Sequence, residues 1–115
     1  MEIRPFEAGD EARKLRVQRE LFLVGRQSGR VVAAVMAGYD GHRGSVNYLA
    51  VDPQYRRRGY GAMLMRRIEE LLAARGCPKV NLSVRSANAD VLAFYQRLGY
   101  AADDVVALGK RLIPD

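Results

Sequence analysis

Short apolar runs fill the first half of the chain, and helical periodicity takes over in the second. Leu21-Phe22-Leu23-Val24-Gly25 and Val31 to Gly38 are too continuous to expose one face to water, which predicts buried strands. Gln27-Ser28-Gly29-Arg30 between them carries hairpin-turn chemistry. Asp40-Gly41-His42-Arg43-Gly44 is a second turn, and Ser45 to Val51 completes an antiparallel meander. Ahead of it, Glu2 to Phe6 predicts a short first strand, and Ala8-Gly9-Asp10 supplies an N-cap for a charged helix from about Glu11 to Glu20.

From Tyr60 to Arg75 the period changes. Leu64, Ile68, Leu71 and Leu72 form one stripe, and Arg66, Arg67, Glu69 and Glu70 take the other face, so an amphipathic helix is expected, stopped by Gly76. Lys79 to Val84 alternates as a strand. Asn88 caps a further helix with Val91, Leu92, Tyr95 and Leu98 inside, and Gly99 ends it. Tyr100 to Ala102 and Val105 to Ile113 predict a closing pair of strands. The order yields an α/β fold, a mixed sheet with helices on both faces. The passage from Ser45 to Val84 is a right-handed, locally parallel crossover, with a ligand expected at the C-terminal end of the Ser45 to Val51 strand.

Composition narrows the function. With 115 residues, 49% hydrophobic and 28% charged, one globular domain over 1–115 is expected. No apolar run is long enough to cross a bilayer, and Met1-Glu2-Ile3-Arg4-Pro5 lacks a signal-peptide core, so a cytoplasmic chain with no membrane partner is expected. One cysteine, Cys77, and one histidine, His42, make no metal-ligand cluster, and no metal is expected. The net charge of +6 favours an anionic partner. The densest basic cluster, Arg56 to Arg58, lies at a glycine-bearing helix start and not among interleaved aromatics, which favours a compact phosphate ligand over nucleic acid.

That cluster belongs to Val51-Asp52-Pro53-Gln54-Tyr55-Arg56-Arg57-Arg58-Gly59-Tyr60-Gly61-Ala62, a strand end, a turn and a helix N-terminus. Unpaired helix amides, the helix dipole and guanidinium charge all attract an anion there. A Walker-type loop and a G-x-G-x-x-G dinucleotide fingerprint are both absent. Arg56-x-x-Gly59-x-Gly61 resembles the Arg/Gln-x-x-Gly-x-Gly/Ala signature of the GNAT acetyltransferases; for this hexapeptide alone, a basic surface turn capping a helix is the competing explanation.

The segment Asn88-x-x-Val91-x-x-x-Tyr95-x-x-x-Gly99-Tyr100 resembles the N-x-x-A-x-x-x-Y-x-x-x-G-F/Y segment of the same superfamily, with Val91 replacing the usual alanine. Together the two motifs extend the resemblance over Leu21 to Ile113. Its details are similar to the ribosomal-protein alanine N-acetyltransferase branch. The resemblance implies a GNAT-like, largely antiparallel six- or seven-stranded sheet with a splayed centre, and acetyl-coenzyme A as co-substrate. It implies that Leu49, Ala50 and Val51 bind the pantetheine arm through amides exposed by a bulge. Arg56, Arg57, Arg58, Gly59, Tyr60, Gly61 and Ala62 would surround the pyrophosphate. Asn88 would contact the coenzyme as well, or else serve as a plain N-cap. Tyr95 would protonate the leaving thiolate, its competing role being to fill the helix's inner face.

Two departures from the family bear on the acceptor. The fifth-strand glutamate taken as general base is replaced by Ser83, so deprotonation of the amine needs a water chain or another group; Tyr48, Asp40 and His42 are weak candidates that compete with plain strand or turn roles, and the base stays unassigned. The passage from Glu7 to Glu20 holds one helix where the family has two, so an open acceptor groove is expected, suited to a peptide terminus or lysine more than to a small amine. Homodimerisation would be another way to supply the missing wall. An acyl-cysteine step at Cys77 is disfavoured because no histidine lies near it in sequence.

Overall fold

The computed structural model describes residues 1–6 and 19–114. Five strands form one sheet in the order β1-β2-β3-β4-β5: β1 Glu2–Pro5, β2 Phe22–Gln27, β3 Arg30–Tyr39, β4 Gly44–Val51 and β5 Val80–Leu82. The first four run antiparallel to their neighbours, whereas β5 pairs with β4 in parallel after the crossover helix α1, Tyr60–Ala74. A second helix, α2, spans Ala89–Arg97. The chain divides into two compact units, Met1–Ser83 and Val84–Asp115. The expected helix over Glu11 to Glu20 falls mostly outside the described residues, and Arg19–Leu21 form a 3-10 turn.

The meander follows from its turn chemistry. Ser28 (φ 53°) and Gly29 (φ 78°) both occupy the left-handed region, as a two-residue turn between twisted strands requires. In the second turn, the Asp40 carboxylate accepts from the amides of His42 and Arg43, both at 2.7 Å. Those bonds, that to Arg43 above all, hold the Asp40 carboxyl below its ordinary range.

Helix α1 packs against β2, β3 and β4. Leu64, Met65, Ile68 and Leu72 are its buried residues, each worth about 1.5–3 kcal/mol of apolar burial. Met65 thus belongs to the core face, while Leu71 is only half-buried. Gly44 is another point of close packing, because a Cβ there would come within 3.0 Å of Cys77 Sγ and Leu72 Cδ1.

Three sequence expectations need correction. No strand follows Leu82 among the described residues, so the sheet has five strands and the closing pair over Tyr100 to Ala102 and Val105 to Ile113 is not formed. The apolar residues there meet no ladder partner, and Val105, Val106, Leu108, Leu112 and Ile113 are exposed. Strand β5 is limited to three residues, Val80–Leu82. In α2, Val91 and Leu92 are exposed and only Tyr95 is buried, because a nine-residue helix in the smaller unit covers little apolar surface.

Candidate functional site

A bulge divides β4. Ala37 pairs with Val46 but Met36 pairs with Tyr48, so Asn47 is the extra residue. On the other side, β5 pairs only with Gly44, Ser45 and Val46. From Asn47 to Val51, therefore, the β5-facing edge of β4 has no ladder partner among the described residues. Leu49, Ala50 and Val51 lie on that open stretch, all half-buried, and β4 ends directly at the basic loop.

The loop is more structured than a simple turn. Asp52 caps a 3-10 helix over Pro53–Tyr55, its Oδ1 accepting from the Gln54 amide at 2.9 Å. The sequence signal for this was Asp-Pro, a cap followed by a residue preset for the first helical position. Arg56 is extended, Arg57 takes φ 65° and Gly59 takes φ 78° before α1 begins. Gly59 is thus needed for its backbone conformation, since a Cβ there would meet no neighbouring atom but would be strained by that φ.

Gly59 caps α1 without a side chain, and the first described helical bond is Met63 N–H to Gly59 O at 3.0 Å. The amides of Tyr60, Gly61 and Ala62 precede that bond and have no acceptor within the helix. Arg56, Arg57 and Arg58 are exposed, and none is ion-paired to a described acidic residue. The Arg58 guanidinium lies 4.9 Å from the Tyr55 ring centroid, a cation–π contact, and Tyr55 stacks on Tyr60 at 6.3 Å and 22°. Open amides, the positive helix end and unneutralised guanidinium groups give this corner the chemistry of an anion site.

The other two predicted site residues lie in the smaller unit. Asn88 caps α2, its Oδ1 accepting from the Val91 amide at 3.3 Å, which leaves its NH₂ donors uncommitted to that bond. Tyr95 is 7% exposed, between the edges of Phe94 (5.0 Å, 72°) and Tyr100 (5.6 Å, 71°). Burial raises its phenol above the ordinary tyrosine range, so it keeps its proton at neutral pH. No described group hydrogen-bonds its hydroxyl.

The weaker candidates separate. Ser83 is exposed just beyond β5, and Tyr48 is exposed after the bulge. Asp40 and His42 serve the β3–β4 turn. Cys77 Sγ donates to Lys79 O at 3.3 Å. Among the described residues, no group of three metal-ligating side chains occurs, and no helix is long and apolar enough to cross a membrane.

Residues 2–100 match the Acetyltransferase (GNAT) family. An acetyltransferase of Yersinia pestis (strain Pestoides F) is 52% identical over 106 residues, covering 92% of this chain and 75% of the relative. The structure resembles that of the ribosomal-protein-S18-alanine N-acetyltransferase from Escherichia coli, with TM-score 0.73 and 25% identity over 85% of this chain and 76% of that one. It also resembles an aminoglycoside acetyltransferase from an uncultured soil metagenomic sample, with TM-score 0.71 and 25% identity over 96% of this chain and 76% of that one.

Proposed function

Because this chain belongs to the acetyltransferase (GNAT) family and is an acyltransferase, we propose that it moves the acetyl group of acetyl-coenzyme A to a primary amine, with a protein N-terminus or a lysine as acceptor. The observation that carries the reading is the uncapped start of α1 at the end of an open β4 edge. An extended arm bearing amide groups can continue the β4 ladder where β5 has left it, and a pyrophosphate can occupy the amides ahead of Met63.

The residues divide the work. Leu49, Ala50 and Val51 hold the pantetheine arm, and the amides of Gly59 to Ala62 with Arg56, Arg57 and Arg58 hold the pyrophosphate. Gly61 lies inside the first turn of a helix, where glycine costs about 1 kcal/mol relative to alanine. The missing Cβ is explained by close approach of phosphate oxygens. Asn88 contacts the coenzyme through the amide donors its capping bond leaves over. The acceptor amine attacks the thioester carbon, the new C–N bond forms, and the C–S bond breaks. Tyr95 then gives its phenolic proton to the departing thiolate.

The preference for a protein acceptor rests on the motif likeness to the ribosomal-protein alanine branch, together with the short Glu7 to Glu20 passage. Release of free thiol should be measured with acetyl-coenzyme A against peptides with free N-termini, lysine peptides, polyamines and an aminoglycoside. Peptides are expected to give the highest kcat/KM. A dominant aminoglycoside would overturn the acceptor assignment. Tight acetyl-coenzyme A binding with no thiol release from any of these amines would reduce the protein to a binding module.

A further inference from the structure

The basic loop has little packing of its own. Residues 53, 54 and 56–59 are exposed, and two loop positions, Arg57 and Gly59, hold left-handed backbone. Such a segment is held only if something outside it over-determines its shape. Among the described residues, that support comes from the β2–β3 hairpin. The Asp52 amide donates to Val32 O at 2.7 Å, Asp52 Oδ2 lies 4.0 Å from the Arg30 guanidinium, and Tyr60 Oη donates to Gln27 Oε1 at 3.3 Å. The first two contacts hold the loop's beginning, and the third holds its end. The hairpin is itself closed by the Arg26 guanidinium donating to Gly29 O at 2.8 Å.

The contact at the loop's end reaches furthest into it. Tyr60 is the first residue of α1, its ring stacks on Tyr55, and the Tyr55 ring carries the Arg58 guanidinium. Gln27 thus stands at the head of a continuous chain, Gln27 to Tyr60 to Tyr55 to Arg58. It fixes the rotation of the residue whose amide opens the helix, and through two rings the direction of a cation. Nothing else in the described structure bonds the Tyr60 hydroxyl.

Resting on the coenzyme-binding role proposed above for this loop, we propose that Gln27 is a positioning residue for the phosphate site. It touches no ligand and acts through Tyr60, so that the β2–β3 hairpin turn sets the affinity for acetyl-coenzyme A from outside the signature sequence. The bond from Tyr60 is long for a hydroxyl donor and only partly buried, so its loss has a modest effect.

The experiment is a double-mutant cycle on the full chain, with acetyl-coenzyme A affinity read by calorimetry and thermal midpoints read in parallel. Gln27→Ala and Tyr60→Phe are each expected to raise Kd by roughly two- to fivefold, and the double variant is expected to be no worse than the weaker-binding single. In Gln27→Ala, KM for acetyl-coenzyme A should rise with kcat unchanged. The thermal midpoints should stay at the wild-type value. If wild type binds acetyl-coenzyme A and Gln27→Ala binds it equally well, the positioning role falls while the coenzyme reading stands. Losses that multiply in the double variant, or affinity that falls in step with the thermal midpoint, also overturn the role. If wild type does not bind acetyl-coenzyme A at all, both proposals fall together.

Discussion

The two helices begin in opposite ways. Helix α2 starts on Asn88, whose side chain accepts from the Val91 amide and closes its own N-terminus. Helix α1 starts on Gly59, in the left-handed region and with no side chain to offer. A capping side chain is worth only a few tenths of a kcal/mol over glycine, and the φ of 78° at Gly59 would strain any residue that carried one, so α1 leaves its first amides open at little cost. The difference teaches that an open helix start is a feature to be explained. Here the explanation offered is an anion that takes the place of the cap, at a helix whose four buried residues hold it regardless.

Experiments can break or sharpen this contrast. The largest expected effect separates the proposed chemistry on α2 from the proposed binding on α1. Tyr95→Phe keeps the ring between Phe94 and Tyr100 and removes only the proton donor, so kcat should fall by roughly 10²- to 10⁴-fold, about 3 to 5 kcal/mol. Acetyl-coenzyme A affinity should barely change. Because burial raises the phenol, the wild-type rate should lose its proton donor only as pH rises above the ordinary value of 10.0, and that alkaline limb should vanish in Tyr95→Phe. Normal turnover by Tyr95→Phe would withdraw the general-acid role and leave the family membership intact.

Next in size is Gly61→Val, which puts a branched Cβ beside the open amides of α1. Valine is no worse than glycine in a helix, so the thermal midpoint should hold while Kd for acetyl-coenzyme A rises about tenfold or more, roughly 1.4 kcal/mol. Calorimetry showing unchanged affinity in the folded variant would remove the first turn of α1 from the site.

The smallest expected effect reverses the pattern at α2. Asn88→Ala should cost about 1 kcal/mol of stability and lower the thermal midpoint by roughly 4 °C. A change in acetyl-coenzyme A affinity well beyond that cost would show Asn88 as more than a cap. An unchanged melting curve would mean that the 3.3 Å bond to Val91 contributes nothing measurable.

Where the fold was legible in the sequence, local chemistry decided the element. Ser28-Gly29 marked the first hairpin, Asp40 to Gly44 marked the second, and the 3.6-residue spacing of Leu64, Ile68 and Leu72 marked α1. Where it was not legible, the deciding partner was remote. Val105 to Ile113 has strand-like composition, yet a strand exists only with a neighbour, and composition does not report one. In the candidate site, the Arg-x-x-Gly-x-Gly spacing located the loop. The Gln27 contact to Tyr60 spans 33 positions, so no local pattern could reveal it. The cation–π contact of Arg58 with Tyr55 lies within one turn of chain but reaches across Arg57, whose positive φ its side chain does not advertise.

The extra residue in β4 has a consequence for anyone comparing this chain with its relatives. Along an uninterrupted strand, positions two apart share an orientation, so odd and even numbering is a reliable label for the two faces. Val46 and Tyr48 are two apart, yet Val46 is 8% exposed and Tyr48 is 52% exposed. At Asn47 the parity label changes meaning once, and it stays changed up to Val51. An alignment that runs through β4 without a gap, against a relative whose strand has no bulge, therefore matches residues that point in opposite directions from Tyr48 onward. The mismatch falls on the stretch proposed above to hold the pantetheine arm, Leu49 to Val51, and on Tyr48 before it.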